Sequence, residues 1–127
     1  MSIERLTTNP ASGFSDAVTA VGPGRLIHVA GNVGFGADGK VVSGGMGAEA
    51  KATFDNIERT LQEAGADMSH VVKINAFVTS LEEYPDYASE RARRFGEKLP
   101  ASATVQVAGL MVGAQIEIDA VAFVPDA

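Results

Sequence analysis

Two ten-residue stretches, His70 to Thr79 and Gln115 to Val124, alternate like strands yet carry apolar side chains on both faces. In the second, Ile116, Ile118, Ala120, Ala122 and Val124 share one face, and Gln115, Glu117, Asp119, Val121 and Phe123 share the other. In the first, Val72, Ile74, Ala76 and Val78 oppose Val71, Lys73, Asn75 and Phe77. A sheet built from such strands needs cover on both sides. One cover is visible in the chain. From Met46 to Ala64, the residues Ala50, Phe54, Ile57, Leu61 and Ala64 are spaced 4, 3, 4 and 3 apart, which predicts an amphipathic helix closed by Gly65 at its C′ position. Ser80-Leu81-Glu82-Glu83 resembles a capping box, but Pro85 would interrupt a helix begun there, so a short turn is expected first. A second helix then starts at Pro85, with a weaker stripe of Tyr84, Ala88, Arg91, Ala92 and Phe95 ending near Gly96. Two helices cover one face. Burial of the other against identical subunits is the simplest remaining solution, and it predicts a closed oligomer.

Further strands are expected at Ile3 to Thr7, at Ala17 to Ala20 and at Arg25 to Ala30, the last two as a hairpin about Val21-Gly22-Pro23-Gly24, with Arg25 to Ala30 largely buried. Ala37 to Lys40 forms a turn before a short Val41-Val42 strand, and Ala103 to Ala108 alternates Thr104 and Gln106 against Val105 and Val107. The resulting order, β-β-β-α-β-α-β-β, predicts an α+β sandwich. At 127 residues with 46% hydrophobic content, residues 1–127 are expected to form a single domain around one core.

Composition narrows the chemistry. A formal net charge of -6 and a pI of about 4.8 make a phosphate backbone an unfavourable partner, so no nucleic-acid binding is expected. No apolar run is long enough to span a bilayer, and Met1 to Pro10 lack the features of a targeting peptide, which predicts no membrane association and a cytoplasmic location. With no Cys, thiolate chemistry and disulfides are excluded. His28 and His70, the only imidazoles, lie on separate elements, and no metal site is expected. Gly31 to Gly36 follows a strand but opens no helix, so it fits a tight turn rather than a nucleotide loop. Glu117 stands out between Ile116 and Ile118: it either faces water on an edge strand or serves as a general acid/base at a cleft. Arg91 and Arg94, three apart on a helix, fit surface pairs with acids.

Several segments together resemble the Rid proteins, the reactive intermediate deaminase or YjgF family, which also carries older L-PSP endoribonuclease labels. Gly13 to Val18 looks like the family's Gly-(Pro)-Tyr-Ser-Gln-Ala-Val opening, and Leu26 to Asn32 like its Ser-Gly-Gln strand end. Asp55-Asn56-Ile57 through Ala64-Gly65-Ala66-Asp67 is similar to its helix, and Val71-Val72-Lys73 to the strand that follows. Pro100 to Val105 and Ile116 to Ala122 are similar to its carboxy-terminal signature. The resemblance implies a chorismate-mutase-like fold, a homotrimer with pockets at the subunit interfaces, and cofactor-free hydrolysis of small enamines or imines to carbonyl compounds and ammonia. It also implies that Glu117 positions water and that the backbone amide of Gly31 touches the substrate carboxylate.

This chain departs from that pattern where the substrate is held. The family's carboxylate-clamping Arg is Ser102 here, its Tyr is Phe14, its frequent Ser is Ala30, and its frequent Cys is Thr104. The family's Asn near the second helix has Ser89 as its nearest counterpart by spacing. The resemblance therefore implies a pocket of Phe14, Ala30, Gly31, Asn32, Ser89, Ser102 and Thr104 around catalytic Glu117, with Gly31 and Asn32 as hydrogen-bond donors. Such a pocket suits a cofactor-free hydrolase or tautomerase acting on a neutral, larger or aromatic enamine or imine, or on a carboxylate held in another way, for which an Arg reaching in from the second helix is one route. A non-catalytic trimer that binds a small metabolite or a partner protein is the alternative reading.

Overall fold

The computed structural model describes Ser2 to Ala127. Eight principal elements follow in the expected order: β1 Ile3–Leu6, β2 Ala17–Ala20, β3 Gly24–Asn32, α1 Met46–Glu63, β4 Val71–Val78, α2 Tyr84–Phe95, β5 Ala101–Gln106 and β6 Ile116–Pro125. The mixed sheet runs β3-β6-β4-β5, with β4 and β5 parallel and β6 antiparallel to both β3 and β4. Both helices pack on one face of it, giving the α+β architecture.

Helix α1 forms where its stripe predicts. Ala50, Phe54, Ile57 and Leu61 are all buried, against Ile74, Ala76 and Val78 of β4 and Ile116, Ile118, Ala120 and Ala122 of β6. Each large side chain of this set contributes about 1.5–3 kcal/mol on burial. The helix ends at Gly65, whose φ of 82° suits a residue without Cβ. Arg25 finishes the cap, donating from Nη1 to the Ala64 carbonyl at 2.7 Å and from Nη2 to the Gly65 carbonyl at 3.2 Å. At the other end, buried Glu49 accepts from the Gln115 amide at 2.8 Å and ties the first turn of α1 to the start of β6. Ser80 accepts from the Glu82 amide ahead of a short 3-10 turn, Leu81–Glu83, and α2 follows with Pro85 in its first turn, as expected.

Four expectations about the strands are corrected. The β2–β3 hairpin does not form. Instead β2 pairs with β1 as a separate two-stranded ribbon, while β3 pairs with β6 over the length of the strand. A long antiparallel ladder to a buried strand outweighs a local turn. Consequently β3 is an edge strand, and of Arg25 to Ala30 it is Val29 that is buried, whereas Leu26 is 59% exposed. In β4, the register slips between Val71 and Lys73, so the bulged Val72 leaves the inner face and Val71 takes its place beside Ile74. Val41-Val42 contributes an isolated bridge from Val41 to Phe35 rather than a strand.

The second face of the sheet carries Leu26 and His28 from β3, Glu117, Asp119 and Val121 from β6, Lys73, Asn75 and Phe77 from β4, and Ala103 and Val105 from β5. Val105 is 48% exposed there. No helix of the described residues is long and apolar enough to cross a membrane.

Candidate functional site

The residues expected to share one pocket divide into two groups on opposite faces of the sheet. Glu117 pairs across the ladder with Phe77 and alternates with the buried Ile116 and Ile118, so its carboxylate lies on the face away from the helices. There it meets the β3 bulge between Val29 and Asn32, where one extra residue carries Ala30 and Gly31 out of register. A Cβ built on Gly31 would stand 2.5 Å from Glu117 Oε2. Gly31 thus makes room for the acid, and only a residue without a side chain lets that oxygen lie so close to the backbone. No ion pair among the described residues engages Glu117. Beside it, Asn75 Nδ2 donates to Asp119 Oδ1 at 2.9 Å. Asn32, in contrast, turns its amide back on the bulge and donates to the Ala30 carbonyl at 2.8 Å.

Ser102 and Thr104 take the other face. They stand opposite Ile74 and Ala76, which are core residues, and so they point toward α2. The Tyr87 hydroxyl faces both of them. The segment before β2 is locked onto the start of β5: the Ser15 amide donates to the Pro100 carbonyl at 2.9 Å, and Ser15 Oγ to the Leu99 carbonyl at 2.6 Å. That lock brings Phe14 to the same place.

At the centre of this second group is Arg91. Its spacing from Tyr87 and Phe95 puts all three on the buried stripe of α2, and Arg91 is only 2% exposed. The guanidinium carbon lies 5.8 Å from the Phe14 ring centre, 5.6 Å from that of Tyr84 and 5.3 Å from that of Tyr87. Nη2 donates to the Ser12 carbonyl at 3.1 Å and contacts the Tyr84 hydroxyl at 3.0 Å. Gly13 gives it passage, since a Cβ there would lie 2.9 Å from Nη2. Burial pushes the Tyr87 phenol above its ordinary range, against the opposing pull of the Arg91 charge. Arg94 behaves differently. It bonds Asp55 at 2.7 Å and Glu58 at 2.8 Å, pinning α2 to α1 as an ordinary ion pair.

Ser89 joins neither group: it is exposed on α2 and donates to the Pro85 carbonyl at 3.0 Å. His28 is exposed beside Val121, and His70 caps the turn at Asp67. No metal-ligating cluster occurs among the described residues. The grooves of the chain include one of about 860 Å³ between α1 and the segment at Asn32, Phe35 and Val42, and one of about 520 Å³ at Arg5, His70 and Lys98. Neither contains Glu117 or Arg91. Tyr84 is expected from the sequence only on the stripe of α2 and Gly13 only in the family-like opening, and Tyr87 carries no expectation, although the 4-residue spacing of Tyr87, Arg91 and Phe95 is a usable signal.

The family model described as Endoribonuclease L-PSP matches residues 5–124. Human 2-iminobutanoate/2-iminopropanoate deaminase is 35% identical over 99 residues, covering 77% of this chain and 72% of that protein. A RutC family protein of Pyrococcus abyssi is 30% identical over 115 residues, 90% of this chain and 88% of that one. Among solved structures, the Rid family protein YyfB of Yersinia pestis superposes with a TM-score of 0.85 at 28% identity, covering 98% of this chain and 100% of that chain.

Proposed function

The chain belongs to the Endoribonuclease L-PSP family, to which the Rid proteins belong, and from that premise we propose that it hydrolyses a small enamine or imine to a carbonyl compound and ammonia, without a cofactor. Relatives named as 2-iminobutanoate/2-iminopropanoate deaminases support the reaction class. The observation that carries it is the Glu117 carboxylate, free of any basic partner among the described residues and seated against the Gly31 backbone.

The chemistry asks little of the protein. Glu117 takes a proton from water as the water oxygen bonds to the carbon of the protonated imine, and the C=N π electrons go to nitrogen, leaving a neutral carbinolamine. Glu117 then gives that proton to the amine nitrogen; the carbinolamine hydroxyl gives its own proton to the freed carboxylate, the C–N bond breaks with its electrons on nitrogen, and ammonia leaves as the carbonyl forms. One carboxylate can serve as base in the first step and acid in the second. An enamine enters by protonation at carbon.

Glu117 and the group around Arg91, Phe14, Ser102 and Thr104 lie on opposite faces of one sheet. One substrate can meet both only if they come from different copies, which supports assembly as a homotrimer with shared pockets. Replacement of the family's Arg by Ser102 supports a substrate held differently from those of the named deaminases. The test is ammonia release from enamines and imines generated in situ. Glu117→Gln is expected to abolish release above the no-protein rate while leaving the oligomer intact; release undiminished in Glu117→Gln refutes the assignment.

A further inference from the structure

Three buried side-chain polar atoms among the described residues lack a hydrogen-bond partner: Arg91 Nε, Tyr87 Oη and Ser102 Oγ. All three belong to one group, between α2 and β5. The contrast with the other arginines is sharp. Arg5 distributes donors to the carbonyls of Ser69, Val71 and Leu99; Arg25 caps α1; Arg94 holds two carboxylates; Arg93 pairs with Glu90; and Arg59 is exposed to solvent. Arg91 alone among these is buried without an anion, its positive charge matched by the faces of Phe14, Tyr84 and Tyr87 and by two neutral oxygens.

A buried guanidinium with an unfilled donor is costly unless an anion completes it. The Tyr87 hydroxyl is turned toward Arg91, Ser102 and Thr104 without a well-formed hydrogen bond to any of them, so it and Ser102 Oγ can each turn a donor to the same anion, and the group together matches a carboxylate, which takes several hydrogen bonds on its two oxygens. We infer that Arg91 is the anion-binding residue of this protein, receiving the carboxylate end of the ligand from α2 with Ser102 and Tyr87 as auxiliary donors. The strand position that Ser102 occupies therefore needs no Arg, because the charge arrives from the helix across from it. Phe14 gives the rest of the ligand an aromatic wall. This deepens the hydrolase reading, on which it rests for the ligand's identity as a carboxylate-bearing imine.

Binding can be separated from turnover with 2-oxobutanoate as probe and its amide, 2-oxobutanamide, as the uncharged control, titrated calorimetrically into the full-length assembled protein. Wild type is expected to prefer the acid. Arg91→Gln should weaken the acid by about ten- to hundredfold and leave the amide unchanged, and Arg91→Lys should recover part of the loss. Equal binding of acid and amide by wild type, no binding of the acid, or full binding of the acid by folded Arg91→Gln each overturns the inference. Should Arg91→Gln fail to fold, arginine-labelled wild type decides. A buried Nε–H resonance that shifts with the acid and not with the amide supports Arg91, and one indifferent to both refutes it. If wild type releases no ammonia from any imine but still binds the acid through Arg91, the hydrolase reading fails and the anion site stands.

Discussion

Gly31 and Glu117 form a unit in which an absent side chain sets the position of a charged one. Adding a methyl at Gly31 would place it 2.5 Å from Glu117 Oε2, so the carboxylate must swing away. Gly31→Ala is therefore expected to lower turnover by about tenfold or more through mispositioning, while changing the chemical-denaturation midpoint little, because Gly31 is an exposed bulge residue. Loss of stability with turnover intact would show that the close approach has no catalytic consequence. Tyr87 yields a second expectation at this scale. Its phenol is raised by burial, so the folded state keeps its proton where the unfolded chain loses it. The Tyr87 contribution to stability should be level with pH below about 10 and fall above it, and Tyr87→Phe should flatten that alkaline limb in a urea series across pH.

At the scale of elements, the two helices are joined by Arg94, which reaches Asp55 and Glu58 on α1 and lies over the Phe54 ring. Burial works to raise the Asp55 carboxyl, but hydrogen bonds and charge from Arg94 and Lys51 prevail and hold it below its ordinary value. Its contribution is fully present above about pH 4 and is lost as the pH falls through its depressed folded value, so Asp55→Asn should reduce the acid-limb slope of stability. These helices were legible in the chain because α1 writes its face in 4 and 3 spacings and closes with Gly65, signals that involve only near neighbours. Strand partners were not. The turn at Val21 to Gly24 looks like a hairpin locally, yet β3 finds its ladder about a hundred residues later in β6, and β1 takes β2. The site shows the same divide. Glu117 is conspicuous as an acid among isoleucines, whereas the isolation of Arg91 depends on a carbonyl 79 residues earlier and on the absence of any acid that folds beside it. Ser102 and Thr104 are on the helix side because Ile74 and Ala76 are, a fact carried by β4–β5 register rather than by β5 itself.

For the whole molecule, the expectation concerns the second sheet face, where Val105 and Leu26 are exposed between charged neighbours. Sedimentation should give about three times the 13.1 kDa chain mass at micromolar concentration, and a sharp monomer would remove the basis for a shared pocket. Leu26→Asp and Val105→Asp are expected to lower the assembled mass and the turnover together. RNA should show no binding at any salt concentration, as fits a chain of net charge -6. The sheet that stands between Glu117 and Arg91 also makes the two residues separable in a mixture. Two impaired proteins, one carrying Glu117→Gln and the other Arg91→Gln, should regain activity at low substrate concentration when unfolded and refolded together. Wherever an Arg91→Gln copy lends its intact acid to a neighbour that still has its arginine, a working site is restored, and random mixing of equal amounts yields about one quarter of the wild-type complement.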